Sequence, residues 1–182
     1  MRTTAVTPLA AGTLAALLLT GCAGQDGAQP QADADRAEQH TQADSFAIED
    51  AWVKAVTAED GMTGAFGLLN NPADGDLSVV AASSPVAGMV ELHEVVTGDD
   101  GNAVMQEKDG GFLVPAGDTH VLEPGADHIM LMGLTEDLDP GTEVAVELEF
   151  SDGSTLEFSA PVKDYEGANE NYDDGAGHGE EH

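Results

Sequence analysis

The chain has very little basic charge. Among its 182 residues, Lys and Arg number 5 and Asp and Glu number 35, so the formal net charge at pH 7 is −30. Binding to nucleic-acid phosphates requires a basic face, so this composition argues against a nucleic-acid partner. Anionic membrane surfaces are disfavoured for the same reason.

Cysteine is almost absent, since Cys22 is the only one in the chain. No internal disulfide is therefore possible. Cys22 follows a lone Arg2 and an apolar stretch too short to span a bilayer, which predicts a signal peptide over 1–21. The ending LTGC resembles the lipobox of bacterial lipoproteins, in which the cysteine becomes the lipidated first residue. We expect an extracytoplasmic lipoprotein on the outer face of the cell membrane; the alternative is a buried or free thiol.

Large apolar side chains are scarce in two terminal segments. Residues 22–44 are rich in Ala, Gln, Asp and Gly, and residues 166–182 are similar. Such segments bury too little surface to fold, so we predict a disordered acidic tether, one domain over 45–165 and a disordered acidic tail. The tail carries His178 and His182 beside two glutamates. They could hold Cu(II) or Zn(II) weakly, or simply belong to a solvated acidic end.

Helical periodicity is also missing, because no core segment of ten or more residues repeats with a helical period. Two runs alternate in the manner of strands, EVAVELEF and TLEFSAPV, and Asp152-Gly153 between them predicts a hairpin turn. Further short strands are predicted from FAIEDAWV, GMTGAFGLLN, LSVVAAS and GMVELHEVV. The pattern is typical of an all-β fold, an antiparallel β-sandwich or barrel.

Residues 127–134, DHIMLMGL, place a histidine and two methionines at every second position. In a strand, His128, Met130 and Met132 share one face, while Ile129 and Leu131 line the other. Both faces are then apolar, which indicates a strand buried on both sides. Taken alone, this stretch is explained by core packing around one histidine.

The stretch ELHEVVTGDDGNAVMQ contains a second histidine and methionine pair on two strand-like pieces. A loop of odd length centred on Asp99 places His93 opposite Met105. Cross-strand neighbours lie about 4.5–5.5 Å apart at Cβ, so an imidazole and a thioether can converge on one ion. Met and His together favour Cu(I), and methionine avoids the disulfides that cysteine would form outside the cytoplasm. Each residue alone is better explained by packing or exposure, but the four together favour a metal site.

These residues resemble the periplasmic copper chaperone family PCu(A)C. The family pattern is His, an optional Met, ten residues, Met, about twenty-one residues and His-X-Met. Here His93-Glu94 is followed by ten residues, Met105, twenty-two residues and His128-Ile129-Met130. Glu94 stands at the optional methionine. The flanking text DAWVKA, LLNNPADGDLSVVAASSP and LVPAG also resembles the family, so the similarity covers about 46–160.

The resemblance implies a cupredoxin-like β-sandwich that binds Cu(I) reversibly. It implies as client the binuclear copper centre of a membrane-bound cytochrome c oxidase, and another copper-assembly protein as a further partner. The ligands carried over from the pattern are His93, Met105, His128 and Met130.

Other candidate residues are assigned to packing or structure. Met62, Met89 and Met132 are interpreted as packing, Trp52 as a core anchor or a shield over the site, and His120 as a strand or turn residue.

Three alternatives compete with a copper chaperone. An enzyme is disfavoured because the chain has no Ser/His/Asp order, nucleophile elbow or phosphate loop, and a blue-copper carrier would need a cysteine ligand. A copper storage or sequestration lipoprotein would carry the same ligands. A metal-free acidic interaction module would use the methionines only for packing.

Overall fold

A computed structural model of the chain describes residues 40–98, 101–167 and 171–172. Within them, a short helix α1 and a 3₁₀ turn at Ala58–Asp60 accompany eleven strands. Their bounds are α1 Gln42–Ser45, β1 Ala47–Lys54, β2 Met62–Asn70, β3 Leu77–Ser83, β4 Ala87–Thr97, β5 Ala103–Glu107, β6 Phe112–Val114, β7 Thr119–Leu122, β8 His128–Leu134, β9 Glu143–Phe150, β10 Thr155–Lys163 and β11 Asn171–Tyr172.

The strands follow the order β11-β5-β4-β8-β2-β1-β10-β9-β3-β6, with β7 beside β2. One layer runs from β11 to β1 and the other from β10 to β6. The layers meet where β1 and β10 pair in parallel, with Val53 opposite Val162. The β5–β11 pair is also parallel, and the remaining pairs are antiparallel. The predicted all-β sandwich is confirmed.

The hydrophobic core is formed by every second residue of the strands that surround it. On β9 the inward residues are Val144, Val146, Leu148 and Phe150, all buried as their alternation predicts. The predicted hairpin turn is also confirmed: Gly153 has φ +79° and donates its N–H to the Phe150 carbonyl over 2.8 Å. From the opposite layer, β8 contributes Ile129 and Leu131 to the same core cluster.

Strand β8 is buried on both faces, as predicted. Its residues from His128 to Met132 are all buried. Ile129 and Leu131 belong to the core cluster, whereas His128, Met130 and Met132 do not and occupy the other face. The surface carrying these three residues is called the site face below. The strand therefore separates the hydrophobic core from a second buried region.

Two short elements fall at the edges of the predicted domain. Helix α1 overlaps the last residues of the stretch predicted as tether, and β11 lies within the stretch predicted as tail. Asp152 explains the docking of α1, because its carboxylate accepts the Gln42 backbone N–H over 2.8 Å. The Ser154 hydroxyl, followed by the Gln42 backbone, holds the pKa of Asp152 below its usual value. These contacts join distant parts of the chain, so local composition gives no sign of them.

The predicted signal peptide with Cys22, and tail residues His178 and His182, lie outside the described residues. The described part of the chain contains no helix that is long and apolar enough to span a membrane.

Candidate metal centre

Two histidines from neighbouring strands meet at the centre of the site face. The β4–β8 ladder places His93 directly opposite His128 and Glu91 opposite Met130. The two imidazole rings pack edge to face, with centroids 5.4 Å apart. His93 is 0% exposed and His128 is 3% exposed. The structure therefore brings together the two histidines that lie far apart in the sequence.

The predicted pairing of His93 with Met105 is wrong. His93 lies opposite Glu107, and Met105 lies opposite Val95. The ladder continues to Thr97 opposite Ala103, so the loop is shifted from the predicted centre at Asp99. It comprises the five residues 98–102, closed by the Gly98 N–H donating to the Asn102 carbonyl over 2.8 Å.

The loop nevertheless has the odd length that the prediction required. Met105 therefore stays on the same face as His93, as a diagonal neighbour of that residue instead of its direct partner. Diagonal neighbours across an antiparallel pair are separated by about 7–8 Å, within reach of a long side chain. Met105 is also buried, at 7% exposure.

A single cavity of about 110 Å³ is lined by three of the four predicted ligands, Met105, His128 and Met130. We call it the site cavity. Other lining residues are Lys54, Val56, Met62, Thr63, Gly64, Phe66, Pro124 and Gly125. His93, the fourth predicted ligand, is in ring contact with His128.

Gly64 keeps the site cavity open. Gly64 lies on β2, opposite Met130 of β8. A Cβ at position 64 would approach the Phe66 ring carbon Cζ to 2.5 Å. Phe66 in turn packs against Trp52, with ring centroids 4.6 Å apart. Trp52 is half-buried and lies outside the core cluster, so of its two predicted roles the core anchor is not observed. It supports one wall of the site cavity.

Hydrogen bonds define which ring nitrogen of each histidine carries the proton. His128 Nδ1 lies 2.8 Å from the Ala126 carbonyl oxygen, and His93 Nε2 lies 2.8 Å from Glu91 Oε2. Both oxygens are acceptors, so these nitrogens are the N–H donors of the neutral rings. The lone pairs are then on His128 Nε2 and His93 Nδ1. Such a second hydrogen bond is how metal-binding histidines are usually oriented.

An ion network is centred on Lys108 and includes Glu94, which alternates with His93 along β4 and so lies on the face opposite the site face. Lys108 Nζ lies 2.7 Å from a Glu94 oxygen and 3.6 Å from an Asp127 oxygen, and His120 Nε2 lies 3.0 Å from Asp127. Hydrogen bonding to Lys108, and then to Gln106, lowers the pKa of Glu94, while the bond to Glu94 raises the pKa of Lys108.

Sequence reasoning missed this network, although its members flank the predicted ligands. Glu94 follows His93, and Asp127 precedes His128. The available signal was the rarity of basic residues, because Lys108 is one of only 5 Lys and Arg residues in the chain. His120 lies in β7, in agreement with its predicted strand or turn position.

The chain belongs to the LpqE-like family, since the family model described as "Putative lipoprotein LpqE-like" matches residues 46–162. A relative from Leifsonia xyli subsp. xyli (strain CTCB07), the "Putative lipoprotein Lxx21020", is 48% identical over 166 residues. That alignment covers 90% of this chain and 95% of the relative.

Solved PCuAC domains share the fold. The apo PCuAC domain from PmoF1 superimposes with a TM-score of 0.57 at 17% identity, covering 66% of this chain and 95% of that domain. The copper-bound PCuAC domain from PmoF2 has a TM-score of 0.55 at 17% identity, covering 66% and 94%. CuI-DR1885 from Deinococcus radiodurans has a TM-score of 0.54 at 31% identity, covering 67% and 82%. The predicted resemblance to the PCu(A)C family is confirmed.

Proposed function

We propose that this protein is an extracytoplasmic Cu(I) metallochaperone whose ligands are His93, Met105, His128 and Met130. One observation carries the proposal: two imidazoles and two thioethers from strands β4, β5 and β8 share one buried face, and three of these groups line the same cavity. Their positions in the sequence span 38 residues, so only the fold brings them together.

The donor set selects the ion. Thioether sulfur and imidazole nitrogen are soft or intermediate donors that suit Cu(I), whereas Mg²⁺ and Ca²⁺ prefer oxygen. None of the four ligands is anionic, so Zn(II) and Cu(II) gain less here than they would from thiolate or carboxylate. The ligand atoms that we propose are Nδ1 of His93, Nε2 of His128 and the sulfurs of Met105 and Met130.

The relatives support this proposal. The Deinococcus protein that is 31% identical to this chain is described in its Cu(I) form, and the PmoF2 domain is described as copper-bound. A site able to receive copper on this fold therefore has precedent among similar proteins.

The proposed location follows from the N-terminus. Residues 1–21 would direct export, and lipidation of Cys22 would hold the domain at the outer face of the cell membrane through a tether. Both the matched family and the Leifsonia relative are described as lipoproteins. A membrane-held donor would meet a membrane-bound acceptor, and the client that we propose is the copper-bearing subunit of cytochrome c oxidase, with another copper-assembly protein as a further partner.

A transfer experiment tests delivery. Cu(I)-loaded protein is mixed with the apo soluble domain that bears the oxidase binuclear site, the two are separated, and the copper in each is measured. We expect copper to move to the acceptor. Copper retained by the donor, despite an acceptor that loads from free Cu(I), would favour storage instead. Tighter binding of Zn(II) than of Cu(I) would reject the ligand assignment.

A further inference from the structure

The site face continues past the four proposed ligands into a row of three methionines. Across β4, β8 and β2 the strand register places Met89 opposite Met132 and Met132 opposite Met62. We call Met62, Met89 and Met132 the methionine row. Directly opposed residues share a face, and Met132 lies two positions beyond Met130 on β8, so the row lies on the site face.

The spacing of the row allows three sulfurs to meet. Neighbouring strands are about 4.7–4.9 Å apart, so the outer residues Met62 and Met89 are separated by about 9–10 Å at the backbone. Met132 lies between them. The methionine side chain is unbranched and has three rotatable bonds, which lets the outer thioethers turn toward the central one.

The distribution of methionine through the protein does not match packing alone. The chain has 6 methionines, and all except Met1 lie on the site face. The core cluster of the described residues contains Leu, Ile, Val, Phe and Ala but no methionine. Methionine fills irregular cores readily, so a residue chosen only for packing would be expected on both faces.

Exposure gives a second reason. Met89 is 53% exposed and Met62 is 37% exposed, whereas Met132 is 7% exposed. A side chain half in water contributes little to packing. It does leave a thioether accessible to an ion from solution, with the buried Met132 behind it.

The row is continuous with the site cavity. Met62 lines that cavity together with Met105, His128 and Met130. Met62 therefore belongs both to the row at the surface and to the wall of the buried site. An ion held by the row would already touch a residue of the cavity.

We propose that Met62, Met89 and Met132 form a second, outer binding site for a monovalent soft cation, Cu(I) or its redox-inert analogue Ag(I). Three neutral thioethers with no charged donor select such an ion over Zn(II) or Mg²⁺. The outer site lacks an imidazole and is more exposed, so it binds more weakly than the four-ligand site. In this proposal the outer site is the point at which copper enters and leaves the site cavity. That role rests on the proposed function, whereas binding of a soft ion to the row does not.

The test follows each thioether separately. The full chain, labelled with carbon-13 at the methionine methyl groups, is titrated with Ag(I) and observed by NMR. We expect the first equivalent to shift the methyl signals of Met105 and Met130, and the second to shift those of Met62, Met89 and Met132. Signals of the row that stay unchanged through the second equivalent would overturn the outer site.

A matched variant keeps the number of thioethers constant. Leu113 is 55% exposed, a fraction similar to the 53% of Met89, but it lies on β6 in the other layer. In the double variant Met89→Leu with Leu113→Met, we expect the second equivalent of Ag(I) to be lost at the concentration that saturates the wild type. The new methyl signal at position 113 should not move. Retained second-equivalent binding would show that any exposed methionine suffices, and would also overturn the proposal.

The two proposals fail differently in this experiment. If the first equivalent leaves Met105 and Met130 unchanged while the row responds, the four-ligand site is wrong and the outer site stands. If Met105 and Met130 respond and the row does not, the outer site alone is rejected.

Discussion

His93 and His128 lie directly opposite each other on β4 and β8, and each ring is held by the residue two positions before it in its own strand or turn. Glu91 binds His93 Nε2, and the Ala126 carbonyl binds His128 Nδ1, both over 2.8 Å. The orientation of each imidazole is therefore set locally, while the ladder between the strands sets the distance between the rings. Such preorganisation lowers the cost of gathering ligands around an ion.

Replacing Met130 with Leu should separate binding from folding. Leucine keeps most of the volume and apolar character, so the free energy of unfolding should change by less than about 1.5 kcal/mol. Loss of one of four ligands should weaken Cu(I) binding by about tenfold or more, equivalent to about 1.4 kcal/mol. Competition with a Cu(I) chelator measures the affinity, and urea denaturation measures stability.

The control for Met130 uses Val121, an exposed residue of β7. Adding Val121→Met to the Met130→Leu variant restores the number of thioethers without restoring the site. The affinity should remain low. An affinity equal to that of the wild type in either variant would remove Met130 from the ligand set.

Gly64→Ala should reduce both stability and copper affinity. The new methyl group would lie 2.5 Å from Phe66 Cζ, so the ring has to move within a packed wall of the site cavity. We expect a loss of about 1–3 kcal/mol in stability, typical of overpacking, and weaker Cu(I) binding. Gly75→Ala is the matched control, because a Cβ there meets nothing within 4 Å. Similar effects at both glycines would mean that cavity shape is not responsible.

Acid should weaken Cu(I) binding only through the histidines. Protons compete with copper for imidazole nitrogen, whereas a thioether needs no deprotonation. Affinity measured by chelator competition should therefore decrease as the solution is acidified. A further rise in affinity at higher pH would indicate an additional ligand that deprotonates there, such as a lysine amine.

Glu94→Gln tests the ion network centred on Lys108. The bond to Lys108 holds the pKa of Glu94 below its ordinary value of 4.5, so the folded state favours the carboxylate. This stabilisation is present at neutral pH and disappears as pH falls through the lowered pKa. The pair is partly exposed, so the variant should lose about 0.2–1 kcal/mol at pH 7 and match the wild type in acid.

Urea denaturation at pH 7 and at pH 3 provides the measurement for Glu94. Glu136→Gln, at an exposed loop position, is the control for removing one negative charge from this acidic chain. An equal change in both variants, at both pH values, would assign the effect to net charge instead of to Lys108.

The part of the fold that could be predicted from sequence is the part in which burial alternates regularly. The β9–β10 hairpin has one buried and one wet face on β9 and an Asp-Gly turn, and both its strands and its turn are as expected. Strand β8 likewise follows from its apolar run. Strand β6 was missed, and the segment of β7 was left undecided between strand and turn, because three or four residues carry too little periodicity to be recognised.

For the candidate site, the sequence correctly predicted which side chains share a face of the sheet, but not which residues lie directly opposite each other across the strands. The alternation of β4 and β5 is compatible with several odd-length loops, and each keeps His93 and Met105 on one face. The choice among them depends on turn geometry, in which Gly101 adopts φ +84°. The pairing of His93 with His128 and the contacts of Lys108 join distant parts of the chain, so no local pattern could reveal them.

Because the methionines of the described residues all lie on the site face, oxidation affects the two faces of the sheet differently. Peroxide and related oxidants convert thioethers to polar sulfoxides, which no longer serve as soft donors. Here that damage falls on the proposed metal sites, while the core cluster, built without methionine among the described residues, has no thioether to lose. Oxidation of the exposed Met62 and Met89 should therefore remove soft donors from the proposed outer site with little effect on the fold, and methionine sulfoxide reductases would restore them.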